Sequence, residues 1–296
     1  MDYLNYIRYV ELNPTELCNL KCTFCPRAHG YPNQNLHMSV ETAVEIRRQL
    51  EDINYSGKIG LIGRGEPTLC KNIKEIVSVF SEGTPTWGLG MTTNGKRIDA
   101  LEEFFNTKKI SFTYDIYTTD VDEQNAIIEK YKNVENVRTS LKPDTGLAYN
   151  EVRKGGRATH QAIYDRETIW RAGKKAGTGS VLGFTNRAGS LGEPTFDFPM
   201  SDKGCAKLIH NMYINWNGDY NLCCDDWNPL VLGNIYEEPI EKFISSNETL
   251  HHYRKSHFCE NKREGLPACQ TCNRVSPVVR EVKENIKQMI MMDELI

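Results

Sequence analysis

Three cysteines near the start, in Cys18-Asn-Leu-Lys-Cys22-Thr-Phe-Cys25, are spaced C-x3-C-x2-C directly after a strand-like run ending Glu11-Leu-Asn-Pro14. Three thiolates on one tight loop can take three irons of a cubane [4Fe–4S] cluster and leave the fourth iron open to a ligand, which the four-cysteine sets of electron-transfer proteins do not. An open iron implies chemistry at the cluster. A structural zinc site needs a fourth donor, and the nearest extra one, His29, gives an uncommon spacing.

A second set lies in the last third of the chain, where Cys205 and Cys223 are followed by Cys269-Gln-Thr-Cys272. Gly218 marks the turn of a hairpin over 213–222. The hairpin presents one thiol at its end and the C-x2-C turn supplies two more. The four cysteines therefore suit either a fully ligated [4Fe–4S] cluster or a structural zinc, and spacing alone does not separate these. Cys70, Cys224 and Cys259 remain, each by default a small buried hydrophobe.

Positioning these thiols requires a folded scaffold of ordinary composition. The 296 residues carry 36 Lys plus Arg against 39 Asp plus Glu, a formal net charge of -3, and 39% hydrophobic residues. No electrostatic footprint for nucleic acid or an anionic membrane is present. Residues 1–10 lack the cationic and apolar regions of a signal peptide, and no run approaches a membrane span, so a cytoplasmic protein with reduced cysteines is expected.

Short β-rich runs alternate with amphipathic helical patterns to about residue 187, which predicts βαβ units and a parallel sheet. Six strands are expected, at 8–13, 59–63, 88–93, 111–117, 137–142 and 181–186. Ser39 can cap a helix through about Asp52, and Asp120 one reaching about Lys132. Ile73, Ile76, Val77 and Phe80 keep helical spacing, as do Ile98, Leu101 and Phe105. On the fourth strand Phe112, Tyr114 and Ile116 share one face while Ser111, Thr113, Asp115 and Tyr117 share the other, which predicts a cavity with a polar lining. A longer loop is expected over 144–167, a linker over 191–204, and a terminal helix over 273–296.

The triplet, with Phe24 ahead of its last cysteine, resembles the signature of the radical S-adenosylmethionine (radical SAM) superfamily. Gly63-Arg-Gly-Glu-Pro67, closing the second strand, resembles the glycine-glutamate-proline motif of that family. The resemblance implies an α/β fold, a partial (β/α)6 TIM-like barrel over 1–190, in which Cys18, Cys22 and Cys25 hold a [4Fe–4S] cluster that binds AdoMet. It also implies cofactor contacts from Phe24, Gly63, Gly65, Glu66 and Pro67. Glycines let backbone approach a ligand, and a carboxylate can meet the AdoMet amino group. Asn94, in Thr92-Thr-Asn-Gly95, is implied as a further contact, Asp115 and Ser140 as reaching the ribose or the substrate, and Arg187 as facing the cofactor carboxylate.

Residues 205–272 resemble the SPASM type of auxiliary-cluster domain in its shortened, one-cluster twitch form, through Asn217-Gly-Asp-Tyr-Asn-Leu-Cys-Cys-Asp-Asp-Trp227 and Leu232-Gly-Asn-Ile235. The resemblance implies that Cys205, Cys223, Cys269 and Cys272 are the ligands of an auxiliary [4Fe–4S] cluster. The implied activity is cleavage of AdoMet to a 5′-deoxyadenosyl radical and hydrogen abstraction, leading to oxidation or epimerisation of a sugar or cyclitol, or alternatively to modification of a peptide. Because the barrel begins almost at residue 1, with no room for a leader-binding domain, the small substrate is favoured. A flavodoxin- or ferredoxin-type reductant is the implied partner, and neither nucleic acid nor membrane is expected. An epimerase needs a thiol to return hydrogen, for which Cys259 in His257-Phe-Cys-Glu-Asn-Lys262 leads Cys70 and Cys224. A non-catalytic electron-transfer or zinc protein is the rival reading, and the open-iron triplet argues against it.

Overall fold

The structure, a computed structural model, describes residues 3–22, 25–118, 120–141, 204–260, 262–272, 278 and 280–293. Phe24, Arg187, the expected strand at 181–186, the loop at 144–167 and the linker up to 203 lie outside the described residues.

Five strands form at the runs expected of them, four inside their bounds and β2 beginning one residue early: β1 (Tyr9–Leu12), β2 (Lys58–Leu61), β3 (Gly88–Thr93), β4 (Ser111–Ile116) and β5 (Val137–Leu141). Every neighbouring pair among them is parallel. Parallel pairing demands crossovers, which α1 (Val40–Asp52), α2 (Ile73–Ser81) and α3 (Val121–Tyr131) supply. The Ser39 side chain accepts the Thr42 N–H to start α1, and Asp120 accepts the N–H groups of Asp122 and Glu123 to start α3. Val10, Leu12, Ile59, Leu61, Met91, Phe112 and Ile116 are buried with Ile46, Leu50, Ile76, Val77 and Phe80 of the helices in one core. Each such side chain contributes about 1.5–3 kcal/mol by leaving water.

The opposite face of the sheet is polar and glycine-rich. In register across it run Tyr213, Glu11, Gly60, Gly90 and Ser111, and nearer the carboxyl ends Thr92 with Thr113 and Asp115 with Ser140. The alternation expected of β4 is therefore present. One helix departs from expectation: Ile98–Phe104 is a 3-10 segment broken at Leu101. The buried residues are Ile98, Leu101 and Phe104, a spacing of three that matches the 3-10 repeat. Phe105 lies beyond the helix and meets the rings of Phe112 and Tyr131 edge-on.

The cysteine-rich last third shares this sheet. After the short helix α4 (Lys207–His210), β6 (Asn211–Ile214) pairs in parallel with β1, and β7 (Asp219–Asn221) and β8 (Val231–Asn234) follow antiparallel. The eight-stranded order is β5-β4-β3-β2-β1-β6-β7-β8. The expected hairpin is β6–β7, but its first strand extends the barrel sheet. Helices α5 (Ile240–Ser246), α6 (Glu248–Phe258) and α7 (Arg280–Asp293) complete the chain. No described helix is long and apolar enough to cross a membrane.

Candidate active site and second cysteine centre

The triplet loop leaves β1 at the carboxyl edge of the sheet. The Cys18 N–H donates to Asn33 Oδ1 at 2.8 Å while Asn33 Nδ2 donates to the Cys18 carbonyl at 2.9 Å, so one side chain pins the first cysteine twice. The Cys25 N–H donates to the Cys22 carbonyl at 2.9 Å, and Pro26–His29 turns the chain away. All three thiols are half-buried. Burial pushes the Cys18 thiol pKa up, and nearby Glu66 and Cys25 add to the rise against the Leu20 N–H and Arg27. A cationic iron centre would offset that cost, because thiol ligation proceeds through the thiolate.

The loop is braced from both ends by buried charge. Glu16 is 4% exposed and accepts from Arg27 at 3.1 Å and from Arg64 at 3.0 Å. Arg27 Nε also donates to the Arg64 carbonyl, and Arg64 Nη2 donates to Asn221 Oδ1 at 3.1 Å. The residues before and after the triplet thus meet the Gly63-Arg64-Gly65 turn and the strand that leads to Cys223. This network was not anticipated from the sequence. The only hint was that Arg64 lies inside the quoted motif.

The motif packs directly on the loop. Gly63 has φ +149, a conformation that side chains rarely adopt. A Cβ on Gly65 would stand 2.0 Å from the Thr15 carbonyl oxygen, so only glycine permits this approach. The Glu66 N–H then donates to the Leu17 carbonyl at 2.8 Å. The Glu66 carboxylate is 4% exposed. Its Oε1 accepts from Thr93 Oγ1 and from the Thr68 N–H and hydroxyl, and its Oε2 accepts from the Asn94 N–H at 2.8 Å. Burial raises its pKa, and these donors oppose the rise. Asn94 Nδ2 donates to Asn19 Oδ1 of the triplet loop at 2.8 Å. Pro67 opens the 3-10 turn Pro67–Leu69 that follows.

Cys18, Cys22, Cys25, Gly63, Gly65, Glu66, Pro67 and Asn94 therefore converge on one edge. Beside them is a cavity of about 270 Å³ lined by Cys22, Asn94, Tyr114, Ile116, Tyr117 and Glu123 among others. It uses the end of β4 and part of that strand's apolar face, where a polar lining was expected. Asp115 and Ser140 stay paired in register on the opposite face and do not line it.

In the second set, Cys269 has both Cys205 and Cys272 as electrostatic neighbours, and Cys223 has Cys269. Burial and then the neighbouring acidic groups and thiols push the Cys223 and Cys269 pKa values up. Among the described residues no three His, Cys, Asp or Glu side chains are drawn together as around a single metal ion. The fit to a larger group rests on the donors present. The four thiols are neighbours, Cys269 buried and the other three half-buried, and the Tyr253 Oη is buried without a hydrogen-bond partner. Tyr253 is an electrostatic neighbour of Cys269 and Cys223. Such an orphaned donor matches a sulfide-rich cluster, whose sulfurs accept hydrogen bonds.

The remaining thiols separate by environment. Cys70 is 3% exposed within the core, as a packing residue would be. Cys259 follows α6, half-buried, with its N–H on the Lys255 carbonyl. Cys224 lies 2.7 Å from Lys207 Nζ and lines a cavity of about 20 Å³ with Glu11, Asn13, Arg64, Tyr213 and Cys223.

Residues 12–142 match the family model of the radical SAM superfamily, and residues 205–273 that of an iron–sulfur cluster-binding domain, SPASM. The chain is similar to the S-adenosyl-L-methionine-dependent 2-deoxy-scyllo-inosamine dehydrogenase of Niallia circulans, 24% identical over 285 residues, which are 95% of this chain and 98% of that protein. It is also similar to GTP 3′,8-cyclase of Photorhabdus laumondii subsp. laumondii, 38% identical over 94 residues, 31% of this chain and 28% of that protein. Among solved structures, BtrN in complex with AdoMet and 2-DOIA matches with a TM-score of 0.64 at 21% identity, covering 94% of this chain and 96% of that one. Streptococcus suis SuiB bound to precursor peptide SuiA matches with 0.57 at 18% identity, covering 90% and 70%. At these identities the two structures bear on the fold alone.

Proposed function

Because this chain belongs to the radical SAM superfamily and carries a SPASM domain, we propose that it is a radical dehydrogenase of a small polar substrate, a sugar or cyclitol. The observation that carries the reading is the convergence of Glu66, Asn94 and the Cys18–Cys25 loop on one edge, through the Glu66 to Leu17 and Asn94 to Glu66 hydrogen bonds. Reductive cleavage of AdoMet at a [4Fe–4S] cluster supplies, when both are bound, the hydrogen-abstracting radical.

The chain's own residues bind and orient. Cys18, Cys22 and Cys25 are the ligands of the AdoMet-binding cluster, and Cys205, Cys223, Cys269 and Cys272 those of the auxiliary one. The Glu66 carboxylate, held rigidly by Thr68, Thr93 and Asn94, keeps Oε2 with a single bond from the protein and so can accept from the AdoMet amino group. Gly65 removes the side chain that would push the motif off the loop. The polar face bearing Glu11, Asp115, Ser140 and Tyr213 suits a hydroxyl-rich substrate. Alignment along nearly the whole length of a cyclitol dehydrogenase supports the substrate class and favours oxidation over epimerisation. Domain limits of 1–190 and 205–272, a flavodoxin- or ferredoxin-type electron donor and a cytoplasmic site belong to the same proposal.

Anaerobically reconstituted protein with a strong reductant tests it. The expected result is release of 5′-deoxyadenosine, stimulated by an aminocyclitol but not by peptides, with a ketone as co-product. No cleavage from protein with filled clusters contradicts the catalytic reading, and stimulation by a peptide alone contradicts the substrate class.

A further inference from the structure

Tyr253 lies on α6, and its side chain is turned into the second cysteine centre. The residue is 2% exposed, and its hydroxyl has no hydrogen-bond partner. Cys269, Cys223 and Asp226 are its electrostatic neighbours. A buried hydroxyl needs an acceptor for its proton. Asp226 is not bonded to it: the Tyr253 hydroxyl has no partner, and the two Asp226 carboxylate oxygens take the N–H groups of Asn228, at 3.2 Å, and Leu230, at 2.8 Å. The next residue on α6, Arg254, faces away, donating to the Leu208 and Ile244 carbonyls and lying over the Tyr3 ring. Tyr253 is thus a buried donor on α6 with two of the four cysteines, Cys269 and Cys223, as neighbours of its hydroxyl.

We propose that the Tyr253 hydroxyl donates a hydrogen bond to a sulfur of the cluster held by Cys205, Cys223, Cys269 and Cys272, and so raises the potential at which that cluster accepts an electron. The physical ground is that added electron density on a cluster is stabilised by donors to its sulfurs. Tyr253 is a positioning and tuning residue and has no contact with substrate. The inference rests on the reading of these four cysteines as cluster ligands.

The test uses the full chain, reconstituted anaerobically, with Cys18, Cys22 and Cys25 replaced by Ala so that only the auxiliary signal remains. Redox titration followed by electron paramagnetic resonance compares Tyr253 with Y253F, which keeps the ring and removes the donor. The expected result is an unchanged iron content and a midpoint moved negative, with the reduced-to-oxidised ratio at the original midpoint falling about tenfold, equivalent to about 59 mV for a one-electron couple. Full iron with an unshifted midpoint overturns the proposal. Should Y253F lose its iron, a tyrosine fluorinated beside the hydroxyl at position 253 keeps the group and strengthens its donation. Its midpoint must then move positive, and an unmoved one overturns the proposal. Absence of iron before any change at Tyr253 is a separate outcome and defeats the ligand assignment itself.

Discussion

The Glu66 N–H donates to the Leu17 carbonyl at 2.8 Å, one residue ahead of Cys18. This bond couples the carboxylate expected to hold AdoMet to the loop expected to hold its iron, and it forms only because Gly65 lets the two backbones touch. In G65A the new methyl would meet the Thr15 carbonyl oxygen at 2.0 Å and the Leu17 carbonyl oxygen at 2.9 Å. Both are backbone atoms, so one segment must move. The expected cost is about 1–3 kcal/mol, seen in urea midpoints, together with weakened AdoMet binding in equilibrium dialysis. A variant as stable and as tightly binding as the parent contradicts the coupling.

Glu66 sets a pH dependence. Burial raises its pKa, so its contribution to the stability of the free protein is present at low pH and is lost as pH rises through the elevated value. AdoMet needs the carboxylate as an acceptor. Its affinity is expected to fall as pH drops through that elevated pKa, and more steeply in the parent than in E66Q. Identical pH profiles of the dissociation constant for the two proteins argue against a role for Glu66 in binding.

The Glu16 network separates buried from surface charge. E16L leaves two guanidiniums, 2% and 7% exposed, without their shared carboxylate. Removing one side of a buried pair costs about 3–5 kcal/mol. E45A removes an i,i+3 partner from Arg48, which is 54% exposed, and costs about 0–1 kcal/mol. Chemical denaturation of both variants distinguishes these. Equal losses contradict the assignment of Glu16 as the brace of the triplet loop.

Much of the scaffold was legible because its determinants are local. Ser39 and Asp120 cap the helices they were expected to cap, and β3 spans the expected run, since alternation and capping act within a few residues. The 3-10 segment Ile98–Phe104 was not, because Phe104 and Phe105 both fit an apolar stripe and packing chose the first. Contacts distant in the chain left no local trace: Asn13 bonds Asn215 across 202 positions and Arg64 bonds Asn221 across 157. Tyr253 lies in a helix whose sequence reads as ordinary, and only its missing partner marks it.

Oxidation requires no thiol near the substrate. C259A is expected to keep product formation, because Cys259 ends α6 as a half-buried packing residue. Cleavage of AdoMet that persists while product is lost, with solvent deuterium entering the product of the parent, moves the reaction to epimerisation and restores Cys259 as hydrogen donor.

The central claim, two independent iron–sulfur centres of which the triplet holds one, is tested most directly by iron and acid-labile sulfide per chain. Anaerobic parent protein and a C18A/C22A/C25A variant are compared, with Mössbauer spectra of each. The account predicts about eight irons falling to about four, all in [4Fe–4S] form. About four irons falling to none, with zinc bound in the variant, contradicts it and leaves the C-terminal cysteines a structural metal site.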